Sequence, residues 1–351
     1  MAEERWSVVL AGGVGSRFWP LSTPARPKQL LPLVDEQPLL LNTLDRLSTL
    51  TPRERTLVLT NASLVPAIAA AIPDLPPGNI IAEPRPAGTA AALTYAAACI
   101  ERRGGSDAVM LCVHADWSIA DPDGFRAALQ HAADVAEQEH GLVTVGIVPT
   151  RPDPGFGYIE PAAEAGHGVR RVARFVEKPT RERAAEMCRD GYLWNSGIFV
   201  WRVGDFLDEV RAHTPEVAPA LKTLTNQSDS SGIDAFFAMA RSVSVDVGVL
   251  ERSSRLFVIP GDFGWDDVGT WAALRRVRPT DAAGNVTSGQ VHAVDAQRNV
   301  VHAEGNTVVL YGVSDLVVVT RDGLTVVTTV DKSADLKTLV EALPDSLQHL
   351  A

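Results

Sequence analysis

The chain has 351 residues, 46% hydrophobic and 21% charged, enough for one large α/β domain with a smaller companion and ordinary for a soluble enzyme. A formal net charge of −11 argues against a nucleic-acid surface or an anionic membrane as partner, since either calls for clustered Lys and Arg, so any polyanion must be bound locally. Cys99, Cys112 and Cys188 are odd in number and in no metal-ligand pattern, and the acidic start MAEERWSVVL has no apolar run near the roughly 20 residues that span a bilayer; the expected compartment is the cytoplasm, with nothing exported or anchored.

The first predicted element is a short apolar strand over residues 6–10. It runs into a turn dense in glycine (Gly12, Gly13, Gly15), which is followed by two cations, Arg17 and Lys28. Glycines without Cβ atoms let the backbone adopt unusual φ/ψ values and approach phosphate oxygens, and the cations oppose the phosphate charge, so the combination suits a triphosphate. A P-loop is excluded, because no Gly, four residues, Gly-Lys-Ser/Thr string occurs. The dinucleotide fingerprint needs a third glycine where Phe18 stands, and an acidic residue where the strand predicted over 56–60 leads into Asn61.

Further apolar runs at 57–60, 79–82, 108–113 and 142–147 alternate with helical stretches, which predicts parallel strands with helices on both faces. Thr89, ahead of an alanine-rich run, and Asp121-Pro122 read as helix starts. Ligands of such sheets bind at the carboxyl ends of the strands, where both the glycine turn after Leu10 and the segment after Val113 fall. Residues 150–280 contain hairpin-like pieces at 158–161 and 169–177, the tryptophan-flanked run 194–201, and several helical stretches. After Gly284, short valine-rich runs broken by Gly, Asn and Asp predict a small β domain, closed by a last helix that starts at Ser333. Spacing there is too irregular for solenoid repeats to be counted, and His292 and His302 read as surface or packing residues.

The string G-G-x-G-S-R-x-W-P-L-S followed by P-K-Q-L-L-P-L resembles the signature of the sugar-phosphate nucleotidyltransferases, and Trp19-Pro20 with Lys28-Gln29 resembles their mannose-1-phosphate guanylyltransferase branch. The resemblance implies a Rossmann-like mixed sheet with helices on both faces over 1–280, with a nucleotide half at about 1–150 and a sugar-phosphate half at about 151–280. It implies a β-helical tail within the C-terminal β domain and terminal helix at 281–351. The reaction it implies joins GTP and α-D-mannose-1-phosphate into GDP-mannose and pyrophosphate with Mg²⁺ or another divalent cation; another sugar-1-phosphate or nucleotide, or a non-catalytic sugar-nucleotide binder, is the alternative. No nucleic-acid or membrane partner is expected, and the β tail leaves room for a homodimer. No His/Glu cluster suited to a transition metal follows the β tail, so a fused isomerase unit is not expected.

Roles for individual residues follow from the same resemblance. Arg17 and Lys28 meet the triphosphate, and Leu10, Ala11, Gly12, Gly13, Gly15, Ser16, Glu83, Gly88 and Thr89 complete the nucleotide side. In place of the family's Pro-Ala-Asp-His the chain has His114-Ala115-Asp116-Trp117; Asp116, otherwise a turn former after a strand, becomes a metal ligand, with both neighbours changed. In GDFGWDDVGTW, matching by position makes Asp267 the second ligand and leaves Asp266 facing away. In ARFVEKPT, Lys178 meets the sugar phosphate and Glu177 the sugar hydroxyls. Gly157, Tyr158, Asn195 and Asp246 complete the sugar pocket, whereas Trp194, Phe199 and Trp201 read as core. The base-side segment EPRPAGTAAA departs from the family's E-P-x-x-R-N-T-A-P-A, and guanine over adenine does not follow from it.

Overall fold

The structure, a computed structural model, describes residues 4–166, 168–224 and 230–348. Its strands in chain order are β1 (Arg5–Leu10), β2 (Thr56–Asn61), β3 (Ile80–Glu83), β4 (Val109–His114), β5 (Ser118–Ile119), β6 (Leu142–Ile147), β7 (Tyr158–Gly166), β8 (Val169–Val176), β9 (Leu193–Arg202), β10 (Leu256–Gly261), β11 (Trp265–Asp266), β12 (Val286–Val294), β13 (Val300–Tyr311), β14 (Leu316–Arg321) and β15 (Leu324–Thr329). Nine of them form one sheet in the order β3-β2-β1-β4-β9-β6-β10-β8-β7.

Alternation of side chains along β1 explains the layering. Val9 points into one core with Val58, Leu111, Leu44 and Phe125. Val8 and Leu10 point into the other with Leu57, Met110 and the alanines of the helix Gly88–Gly104. Helices therefore cover both faces, as expected of an α/β sheet.

The sheet departs from a purely parallel run at β9. This strand, from the second half of the chain, lies antiparallel between β4 and β6. It is buried over most of its length, which suits a central strand and not a rim hairpin. Nothing local in sequence dictates that insertion, because strand order is set by long-range pairing. Past β6 the sheet continues with β10 parallel to it and then the β8–β7 hairpin.

Two helix starts behave differently. Asp121 caps the helix Pro122–Glu139, its carboxylate accepting the N–H groups of Asp123 and Gly124. Thr89 is no cap: the helix begins at Gly88, and the Thr89 hydroxyl accepts instead from the N–H of Val245 at 2.9 Å. Likewise the helix predicted from Ser333 spans Leu336–Ala342 behind a 3-10 turn at Asp331–Asp335, buried Ser333 bonds back to the Val330 carbonyl, and a further one-turn helix follows at Asp345–Gln348. Among the described residues no helix is long and apolar enough to cross a membrane.

The C-terminal β region is a stack of parallel strands, β12 on β13 on β14, with Val286, Val300 and Val317 in register, closed by the antiparallel β15. A buried ladder runs beside it. Asn299 donates from Nδ2 to Asn285 Oδ1 at 3.0 Å and accepts the N–H of Leu316 at 2.9 Å, while Asn285 donates to the Ala296 carbonyl at 2.9 Å. A repeat is thus present after all, carried by Asn285-Val286 and Asn299-Val300, with Leu316-Val317 in register on the third strand. One continuous core joins this stack to the N-terminal signature turn, uniting Phe18, Trp19, Leu31, Val268 and Trp271 with Val300, Val317 and Val319.

Asn299→Ala should cost about 2 kcal/mol, because it leaves the part-buried Leu316 N–H without its acceptor and removes a buried bond to Asn285. Urea denaturation of the two proteins measures the difference.

Candidate active site

The glycine turn is shaped chiefly by Lys28. Gly15 has φ +77°, and a Cβ there would lie 2.3 Å from the Lys28 Cβ, so the bare backbone makes room for the lysine stem. The Lys28 N–H donates to the Val14 carbonyl at 2.9 Å, and Gln29, also buried, donates to the Ala11 carbonyl at 2.7 Å. Gly12 and Gly13 do not adopt positive φ, contrary to the expectation of unusual backbone at all three glycines. Their contribution is open space: nothing lies within 4 Å of a Gly13 Cβ, and only Glu83 Oε1 reaches that distance from Gly12.

The two aspartates, 151 residues apart in the chain, are brought together by a short antiparallel ribbon. In it β5 pairs with β11, Ser118 opposite Asp266 and Ile119 opposite Trp265, so Asp116 and Asp267 leave the ribbon on the same side of the molecule. Buried Lys28 spans them. Its ammonium donates to Asp116 Oδ2 at 2.8 Å and to the Asp267 carbonyl at 2.9 Å. Nearby, Arg17 Nη1 donates to the Gly269 carbonyl at 3.2 Å.

Asp266 has a different task. It is buried, accepts from Arg276 Nε at 2.6 Å and Nη2 at 3.0 Å, and accepts the N–H of Val268 at 2.9 Å. That last bond secures a buried β-branched residue at φ +45°, a strained conformation that holds the chain as it passes Asp267. Asp267 itself faces the cleft.

Three adjoining cavities make up that cleft. The first, about 370 Å³, is lined by Leu10, Ala11, Gly12, Gly13, Gln29, Glu83, Gly88, Thr89 and Asp116. A second, about 400 Å³, has Gly13, Gly15, Ser16, Arg17, Lys28, Asp116 and Asp267 in its wall. The third, about 390 Å³, is lined by Gly157, Glu177, Asn195, Asp246, Phe156 and Trp265, and again by Arg17 and Asp267. His114 borders all three.

Burial sets the charge states here. It pushes the Glu83 carboxyl up to about 7. It raises Asp267, helped by the neighbouring Asp266 carboxylate and opposed by Lys28. Burial also pushes Asp116 upward, but Lys28 and His114 more than offset it and leave the carboxyl below its ordinary range. Asp246 is raised by burial against the bond it accepts from Asn195 Nδ2 at 2.7 Å, and burial lowers His114. The donor set fits a hard divalent cation. Asp116 and Asp267 present oxygen ligands to one cavity, phosphates and water suffice to complete an octahedron, and a cation would relieve the penalised Asp267 carboxylate.

Two predicted site residues lie elsewhere. Tyr158 is fully buried, with its hydroxyl donating to the Asp153 carbonyl and accepting the Asp153 N–H, both at 3.1 Å, so its side chain belongs to the core and does not line the third cavity. Lys178 is exposed at φ +44° and pairs with Glu177 at 3.0 Å; of the two, Glu177 lines the cavity. Gly88 is required by packing, since a Cβ would meet the Val243 carbonyl at 2.2 Å. Of the residues expected to be core, Trp194 and Trp201 are fully buried, while Phe199 also reaches the third cavity. Gln29, Trp117, Phe156 and His114 were not singled out as site residues from sequence. Gln29 sits inside the quoted signature, and His114 and Trp117 were visible only as departures from it.

Residues 6–284 match the family model described as Nucleotidyl transferase. The chain belongs to that family. Among curated relatives, mannose-1-phosphate guanylyltransferase of Escherichia coli is 38% identical over 367 residues, covering 99% of this chain and 76% of the relative. Alginate biosynthesis protein AlgA of Pseudomonas putida is 36% identical over 349 residues, covering 96% and 71%. A crystal structure described as mannose-1-phosphate geranyltransferase from Thermus thermophilus superposes with a TM-score of 0.89 at 34% identity, covering 96% of this chain and 98% of that one. The range matched to the nucleotidyl transferase family contains Arg17, Lys28, Asp116 and Asp267.

The neighbouring aspartates should separate in denaturation experiments. Asp266→Asn should cost about 2 kcal/mol by breaking its pair with the partly exposed Arg276, whereas Asp267→Asn should leave stability unchanged or slightly higher, since it removes a carboxylate that burial disfavours.

Proposed function

We propose that this chain transfers GMP from GTP to α-D-mannose-1-phosphate, forming GDP-mannose and pyrophosphate with Mg²⁺ or another divalent cation. The observation that carries the reading is the meeting of three cavities: one sized for a nucleoside, one walled by Arg17 and Lys28, and one with Asn195, Asp246 and Glu177 suited to sugar hydroxyls. Relatives named mannose-1-phosphate guanylyltransferase support the choice of substrates.

The chemistry joins two polyanions, so the protein's work is charge neutralisation and in-line positioning. A phosphate oxygen of the sugar phosphate attacks the α-phosphorus as the bond to the departing pyrophosphate breaks. Arg17 and Lys28 stabilise the charge that collects on the leaving group. Asp116 and Asp267 would hold the divalent cation, which when bound offsets phosphate charge and lowers the repulsion between the substrates. Asn195, fixed by its bond to Asp246, orients the sugar together with Glu177. Lys178 takes part only if its exposed side chain swings away from Glu177 toward the sugar phosphate.

Glu83 supports guanine. A carboxylate accepts two hydrogen bonds, and guanine offers adjacent donors at N1 and its exocyclic amine, whereas the adenine edge pairs one donor with an acceptor. The ordinary state of an exposed carboxylate at neutral pH is fully ionised; here burial moves the carboxyl to about 7, so acid converts it to a neutral group with less accepting capacity. The free thiols Cys99, Cys112 and Cys188 support the cytoplasm as compartment. Exposed Val294, Val309 and Tyr311 on the C-terminal stack support a homodimer, to be checked by sedimentation.

A coupled pyrophosphate-release assay over several nucleotides and sugar-1-phosphates tests the reading; turnover is expected with GTP and mannose-1-phosphate, and its absence with that pair removes the proposal. KM for GTP should rise as pH falls below about 7 and level off above it. Glu83→Gln should reduce the preference for GTP over ATP about tenfold and flatten that pH dependence.

A further inference from the structure

Under the reading just given, on which this inference rests, one phosphorus atom belongs to every compartment of the cleft. The α-phosphorus is bonded to the nucleoside, to the pyrophosphate that leaves, and during transfer to the sugar phosphate that arrives. A side chain that touches it must therefore border all three cavities. Leu10 and Thr89 border the first and third, Asp116 the first and second, and Arg17 and Asp267 the second and third. Among the described residues, His114 alone borders all three.

The imidazole is also held and unspent. Its ring packs on Trp117 with centroids 5.0 Å apart. Against both rings lies Gly197 at φ +76°, where a Cβ would stand 3.1 Å from His114 Nε2 and 3.4 Å from Trp117 Cζ2, so glycine at this bend of β9 leaves the imidazole its place. Among the described residues neither ring nitrogen has a hydrogen-bond partner, and neither is sealed away from the cleft. Lys28 and Arg17, by contrast, already donate to Asp116 and to the carbonyls of Asp267 and Gly269. A polar group fixed at the junction of three substrate compartments, with no hydrogen-bond partner among the described residues, is placed to bind what passes through it.

We propose that His114 is a catalytic residue of the transfer, donating a ring N–H to a non-bridging oxygen of the α-phosphate. As the sugar-phosphate oxygen bonds to the α-phosphorus, the bond from that phosphorus to the pyrophosphate oxygen breaks and its electron pair leaves with pyrophosphate. The nucleophile is already an anion, so no proton needs to be removed, and His114 keeps its own throughout. Its contribution grows as charge builds on the five-coordinate phosphorus, which places the effect on kcat more than on binding.

The test uses the full chain with saturating GTP, mannose-1-phosphate and Mg²⁺. His114→Phe keeps an aromatic ring against Trp117 and removes the donor. Its kcat should fall about 100-fold, the scale for loss of one such donor. Dissociation constants for GTP and for mannose-1-phosphate, measured separately by calorimetry, should change by less than about threefold. His114→Gln, which returns an N–H on a flexible stem, should recover about tenfold of the loss. The proposal is overturned if the Phe variant keeps kcat within about threefold of wild type, or if its loss is matched by an equal loss of affinity for either substrate, the mark of a mere wall residue. Should the Phe variant lack a cooperative melting transition, His114→Leu, also without a donor, decides by the same criteria. Wild-type chain that turns over no nucleotide and sugar-phosphate pair sinks the reading of the cleft itself, whereas active wild type with unaffected variants sinks only the role of His114.

Discussion

The Lys28 ammonium, bonded at once to the Asp116 carboxylate and the Asp267 carbonyl, is the interaction on which the architecture of the cleft depends. Three stretches remote in the chain meet at that nitrogen: the turn after β1, the end of β4 and the exit from β11. A buried ammonium without partners would be prohibitively costly, so the sequence that buries Lys28 must also deliver its acceptors. Gly15 is the local consequence, since any side chain there would collide with the lysine stem. The ribbon of β5 with β11 is the long-range one.

Around that point the charges are sorted by face. Asp266 and Asp267 are neighbours in sequence and opposites in function. The first is spent on Arg276 and on securing the strained Val268, and the second is left toward the cleft with its charge penalised by burial. A chain with net charge −11 thus presents two cations, Arg17 and Lys28, and an incompletely satisfied carboxylate at one place. Strain at Val268 is tolerated because the Asp266 bonds and the core beneath it over-determine the loop.

Much of this was legible from residues alone, and the reasons are physical. The strands of the first half could be placed to within a residue or two because they are buried on both faces and read as continuous apolar runs. Whether β9 belonged between β4 and β6 could not be read, because pairing partners leave no trace in a strand's own composition. Tyr158 illustrates the limit of a motif: the match located the segment, but alternation along the strand turned the phenol inward while Gly157 stayed on the cavity. Thr89 looked like a helix cap and turned out to serve a backbone group 156 residues away. The asparagine ladder of the C-terminal stack was hidden by unequal loop lengths, although the Asn-Val pairs that carry it were in plain view. His114 appeared as a departure from a familiar pattern, and only the shape of the cleft revealed where it stands.

The core shared by the signature turn and the C-terminal stack has one further implication. Phe18 follows Arg17, and Val268 follows Asp267, so these two cleft residues are each tethered by the next neighbour to a hydrophobic floor that Val300, Val317 and Val319 complete. Arg321, donating to the carbonyls of Pro20 and Leu21, and Arg26, paired with Glu304, fasten the rim. Fraying of the tail would therefore unmoor the loops that carry Arg17 and Asp267 before it disturbed the central sheet. By linkage, whatever firms the tail also firms those loops, and a ligand held by them would shore up the tail in return.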